Sequence, residues 1–161
     1  MESKIEVLCH SSIKITGTKI IYIDPFKIKE NYQNADYIFC THSHYDHFSE
    51  EDIKKVITNN TVLITVESSK KEALKLVNED KLIIVQPNKS YKERGIEFET
   101  TYSYNINKKF HPKENEWVGF NINLDGTKYY IAGDTDNIPE IQNIETDVAC
   151  IPIRRNIYHG L

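Results

Sequence analysis

Four side chains able to bind a metal, His42, His44, Asp46 and His47, crowd into the run Thr41-His42-Ser43-His44-Tyr45-Asp46-His47-Phe48. The run follows directly on the apolar stretch Tyr37-Ile38-Phe39-Cys40, the pattern of a short strand buried on both faces, so the donors hang from a strand end. Imidazole and carboxylate together suit a borderline divalent ion such as zinc. Alternate positions at a strand end point the same way, which pairs His42 with His44. The turn that follows can swing Asp46 and His47 toward a neighbouring position. One short loop could then feed two adjacent metals, and the competing reading is a solvated loop that happens to be rich in histidine.

The 161 residues are enough for one domain with a real core, and a single domain spanning residues 1–161 is expected. Twenty basic against 24 acidic residues leave a formal charge of -4 with no long basic block, so no nucleic-acid partner is expected. The start, Met1-Glu2-Ser3-Lys4, carries no signal-peptide apolar region, and no apolar run approaches the ~20 residues of a membrane span. A cytoplasmic chain is the expectation. Cys9, Cys40 and Cys150 are odd in number and sit in apolar strand-like segments, as small buried hydrophobes do. Cys40, next to the histidines, could also ligate.

Short β-branched runs at Lys4 to Cys9, Ser12 to Thr16 and Lys19 to Ile23 read as strands, the last two joined by a Gly17-Thr18 turn. Ser49 can cap a helix with Glu50, Glu51 and Asp52 in its first turn and Ile53, Val56 and Ile57 as its stripe. Thr61 to Val66 and Leu82 to Val85 read as strands around a second helix, Ser68 to Asn78, with Ala73, Leu74 and Val77 inward. That order predicts crossover units with helices on a sheet. Beyond Pro87, Ser90 to Lys92, Ile96 to Tyr104, Trp117 to Leu124 and Lys128 to Ala132 predict an antiparallel group with a turn at Asp125-Gly126. Asn105 to Glu116 is a long polar loop carrying His111, Ile138 to Ile141 suggests a short helix, and Asp147 to Ile153 a last strand.

The pattern His-x-His-x-Asp-His after a buried strand, with a later loop histidine and Gly133-Asp134-Thr135, resembles the metallo-β-lactamase superfamily of metal-dependent hydrolases. The similarity extends to Cys9-His10-Ser11-Ser12, Asp24-Pro25-Phe26, Phe110-His111-Pro112-Lys113 and Asp147-Val148-Ala149-Cys150-Ile151-Pro152-Ile153. It is greatest to compact members grouped with ascorbate-phosphate lactonase and N-acyl-phosphatidylethanolamine phospholipase D. The resemblance implies an α/β fold, an αββα sandwich of two mixed sheets flanked by helices. It also implies that His42, His44 and His111 hold one metal, that Asp46 and His47 hold a second, and that Asp134 bridges them. Asp24 would brace the metal loop or only shape a turn, and His10 would face the cleft or sit in the core. Lys108, Lys109 and Lys113 would attract an anion or merely be solvated.

Such relatives continue past the Pro-Ile motif with a further turn, a helix and a late histidine, whereas here the sequence runs Arg154 to Leu161. The expectation is therefore a fold incomplete at its C-terminus, its second metal position short of one ligand, with His159 an unmatched stand-in. The implied activity is hydrolysis of an ester, lactone, amide or phosphodiester in a small-molecule substrate. Water would be activated by one or two zinc ions, with manganese or iron as alternatives, and Asp46 or a nearby water would shuttle the proton. The contrasting expectation is a catalytically impaired, metal-binding fragment of such a hydrolase.

Overall fold

The structure, a computed structural model, describes residues 2–106 and 112–152. The first sheet contains β1 (Lys4–Cys9), β2 (Ser12–Thr16), β3 (Ile20–Ile23), β4 (Tyr37–Phe39), β5 (Val62–Val66) and β6 (Leu82–Val85), in spatial order β1-β2-β3-β4-β5-β6. Its first three strands are antiparallel and β3 to β6 are parallel. The second sheet contains β7 (Ser90–Glu93), β8 (Ile96–Tyr102), β9 (Val118–Leu124), β10 (Thr127–Ile131) and β11 (Val148–Cys150) in the order β11-β10-β9-β8-β7. It is antiparallel except that β11 runs parallel to β10. Both sheets are mixed, and together they make the sandwich that the sequence motifs implied.

Strand alternation explains how one short sequence feeds two cores. In β3, β4 and β5, Ile21, Ile23, Tyr37, Phe39, Val62, Ile64 and Val66 point between the sheets, where they meet Phe98, Val118, Phe120, Ile122 and Ile131. The residues between them, Tyr22, Ile38 and Leu63, face the other way and join Cys40, Phe48, Ile53, Val56 and Ala73. Because the central strands are buried on both faces, they read as unbroken apolar runs. Phe39 is pinned across the sandwich by edge contacts to Phe98 and Phe120, with ring centroids 5.1 and 4.9 Å away. The strand end that precedes His42 is therefore fixed from both sides.

The helices α1 (Glu50–Val56) and α2 (Lys70–Ala73) cover the outer face of the first sheet. Ser49 caps α1 by accepting the Asp52 N–H at 3.3 Å, and its hydroxyl donates to the Asp52 carboxylate at 2.6 Å. α2 is shorter than the helix expected over Ser68 to Asn78, and Leu74, assigned inward, is exposed. Two causes act together: no side chain caps its start, and Lys70 and Lys71 place positive charge in its first turn, against the helix dipole. The far face of the second sheet is polar, with Glu97, Glu99, Asn121, Asn123 and Lys128 on it. Among the described residues it is covered by the loop after β10 with its 3-10 turn Pro139–Ile141, where Asn121 donates to the Glu145 carbonyl. No helix among the described residues is long and apolar enough to cross a membrane.

Ser49→Ala removes the cap and should cost about 1 kcal/mol in chemical denaturation. Burial alone would raise the Asp52 carboxyl, but hydrogen bonds from Ser49 and the N–H groups of Ile28 and Lys27, with the Lys55 charge, hold it below its ordinary value. Its contribution to stability is thus present above about pH 3.9 and lost as pH falls through the lower folded value. Asp52→Asn should accordingly flatten the acid limb of a stability profile, an outcome that urea melts across the acid range would measure.

Candidate metal centre

The site forms where the C-terminal end of β4 meets the end of β10, with Phe48 anchored in the core beneath α1 to close the ligand loop. A tight turn follows His44, whose carbonyl accepts the N–H groups of both His47 and Phe48. His47 is thereby folded back toward His42. Their rings lie 3.9 Å apart, and their free edges converge with Asp134, which arrives from the end of β10. One ligand atom from each of His42, His47 and Asp134 falls within 4.8 Å of the other two. The Asp134 Oδ2 atom stands 3.0 Å from His47 Nε2 and 3.7 Å from His42 Nε2, so it faces both rings. Asp46 Oδ2 is 3.6 Å from His47 Nε2. The His44 ring packs edge-on to that of His42, with centroids 4.9 Å apart. His111 lies outside the described residues, as do Lys108, Lys109 and His159.

Behind the histidines sits Asp24, with no solvent exposure. Its carboxylate accepts the Thr41 N–H at 2.8 Å, the Thr41 hydroxyl at 2.8 Å and His47 Nδ1–H at 2.7 Å. Since the Thr41 hydroxyl proton is given to Asp24, its oxygen accepts from His42 Nδ1–H at 2.9 Å. Each ring thus carries its proton on Nδ1 and aims Nε2 at Asp134. That is the orientation a metal-binding histidine needs. Asp24 holds a left-handed backbone, φ 47°, at an L-residue that ordinarily avoids it, with its own N–H fixed on the Phe39 carbonyl.

Burial pushes the Asp24 carboxyl up, against the pull of His47 and Thr41. For His47, burial acts downward but is outweighed by the hydrogen bonds and charges of Asp134 and Asp24, which raise it to about 10. A cation that takes Nε2 must displace any proton held there, so metal binding competes with protonation of His47.

The donor set suits a divalent metal, since two imidazole nitrogens and a carboxylate from separate elements face one point, with Asp46 beside them. Cys40 is elsewhere: it points into the core beneath α1, and burial pushes its thiol up. Cys9 and Cys150 are only half-buried, so the expectation of three buried cysteines holds for Cys40 alone. His10 is exposed and lines a cavity of about 270 Å³ with Asp24 and Gly133. Lys113 pairs with Glu140 at 3.1 Å and lies over the Tyr102 and Tyr104 rings, an arrangement neither sequence reading foresaw.

A family model described as the beta-lactamase superfamily domain matches residues 4–160. The chain belongs to that superfamily. It is 29% identical to a metal-dependent hydrolase of Thermoplasma acidophilum, over 89% of this chain and 67% of the relative. A crystal structure from Parabacteroides distasonis, described as a candidate metal-dependent hydrolase, superposes with a TM-score of 0.76 at 27% identity, covering 91% of this chain and 67% of that one. A metallo hydrolase of Ignicoccus hospitalis shares the fold, with a TM-score of 0.64 at 19% identity over 87% of this chain and 64% of its own. The chain spans about two thirds of the length of these relatives.

Two residues packed around these donors escaped the sequence reading. Thr41 was given no role, and its position between Asp24 and His42 emerges only when β3 and β4 pair. Trp117, almost buried, packs its ring against His42 and His44 at 4.9 and 4.8 Å and so walls the site. Its closeness to a strand start was legible, its ring contacts were not.

Asp24→Asn offers one acceptor oxygen to three donors, so at least one buried donor loses its partner. The variant should unfold with a loss of about 1–3 kcal/mol relative to the parent in urea titrations.

Proposed function

We propose that this chain is a hydrolase that holds one or two divalent metals, zinc in the first instance, on His42, His44, Asp46, His47, His111 and Asp134. The observation that carries the reading is the convergence of the His42, His47 and Asp134 donor atoms within 4.8 Å over a shared buried brace. Superfamily membership and the hydrolase names borne by its relatives support it. A divalent metal bound there would supply Lewis acidity, lowering the pKa of water from 15.7 toward about 7 and polarising a substrate carbonyl or phosphoryl oxygen.

The protein's own part is positional. Asp24 and Thr41 fix both rings with Nε2 outward, Asp134 adds an anionic oxygen between them, and Trp117 closes one side of the site. Asp46, more than one third exposed beside His47, is placed to take the proton from an attacking water and pass it to the leaving group. The bonds addressed are those of esters, lactones, amides or phosphodiesters in small-molecule substrates.

Metal analysis of purified protein should find about one or two equivalents of a divalent ion. The double variant His42→Ala, His47→Ala should lose it, together with hydrolysis of chromogenic esters, lactones and phosphodiesters in zinc- or manganese-supplemented assays. Full metal content in the double variant would refute the site. Metal uptake by the parent without turnover of any of the three substrate classes would reduce the reading to a metal-binding role.

A further inference from the structure

We infer that Thr135 and Ser103 are positioning residues that fix Asp134, an inference that rests on the metal site just proposed. β8 and β10 flank β9 on either side in the second sheet, and their ladders with it end at Tyr102 and Ile131, so the segments that run on from them toward Tyr104 and Asp134 meet outside the sheet. Asp134 lies in this unladdered stretch. Two buried hydroxyls take over the pairing.

The Thr135 hydroxyl, on a side chain 5% exposed, accepts the Tyr104 N–H at 3.1 Å and faces the Tyr104 carbonyl at 2.9 Å, to which it can donate. The Asp136 carbonyl stands at the same 2.9 Å, so the one hydroxyl accepts from the opposite segment and gives its proton to one of two carbonyls beside it. The Ser103 hydroxyl, 3% exposed, donates to the carbonyl of Asp134 itself at 3.1 Å. The Asp136 N–H bonds the Tyr104 carbonyl at 3.0 Å, and the Ile106 N–H bonds the Asp136 carboxylate at 2.9 Å, which completes the zipper.

On the other side of Asp134, Gly133 has φ 70°, and a Cβ there would stand 3.1 Å from Ser103 Oγ and 3.2 Å from Thr41 Cβ. The close approach lets Asp134 reach the histidines, and the hydroxyl bridges keep it there. The consecutive residues Gly133, Asp134 and Thr135 therefore divide into a turn, a ligand and an anchor. Neither hydroxyl points at the reacting atoms, so both act through Asp134 and not on substrate.

The test is a Co²⁺ titration of the full chain, read by quenching of Trp117, the single tryptophan, whose ring packs on His42 and His44. Thr135→Val keeps shape and deletes the hydroxyl, and should weaken Co²⁺ binding by about 10- to 100-fold, as loss of a ligand's supporting partner does. Thr135→Ser should restore affinity to near the parent value, and Ser103→Ala should weaken it in the same direction as Thr135→Val. Measurements well below each variant's melting temperature separate affinity from folding, and Ser103→Ala serves alone if Thr135→Val does not fold. Parental affinity in Thr135→Val or Ser103→Ala, with Asp134→Asn impaired, would overturn the inference and leave the metal site standing. Parental affinity in Asp134→Asn would instead remove the metal-site reading beneath it.

Discussion

A carboxylate sealed from solvent, that of Asp24, decides which way two histidines face. It accepts the His47 Nδ1–H directly and sets the His42 orientation through Thr41, so both Nε2 atoms turn toward Asp134. Burying such a group is costly unless donors replace the lost water, and here three reach it. The left-handed backbone at Asp24 and the buried Thr41 both serve that arrangement.

The sandwich supplies the rigidity that the brace needs. Asp24 follows β3 and Thr41 follows β4, and these parallel neighbours end side by side, so the pair meets without any intervening loop. Phe39, locked against Phe98 and Phe120, carries the packing of both sheets up to the residue before Cys40. From the other sheet, the Val118 N–H bonds the Thr41 carbonyl at 3.2 Å, tying β9 to the ligand loop. A site built this way sits on strand ends and inherits their order.

Much of this was readable from residue pattern alone. The double-faced core strands announce themselves as continuous apolar runs, and the Ser49 cap with its acidic first turn marks α1 within a residue or two. The cluster from His42 to His47 stands out because four metal-binding side chains so close together have few other uses. What escaped were features set by tertiary contact: the reach of Thr41 to Asp24, the Trp117 wall, and the hydroxyl zipper around Asp134. The second helix was overestimated because its apolar spacing is helical while its first-turn lysines and missing cap are not. Strand alternation pairs His42 with His44, and the turn after His44 brings His47 to the same ring as well, with centroids 3.9 Å from His42 against 4.9 Å for His44.

The central claim is that His42, His47 and Asp134 share one cation. Anomalous diffraction from zinc-soaked crystals, collected on both sides of the zinc absorption edge, tests it directly. The account predicts a peak about 2.0–2.2 Å from each of His42 Nε2, His47 Nε2 and Asp134 Oδ2. No peak there, or one at a remote surface position with these side chains unchanged, would contradict it.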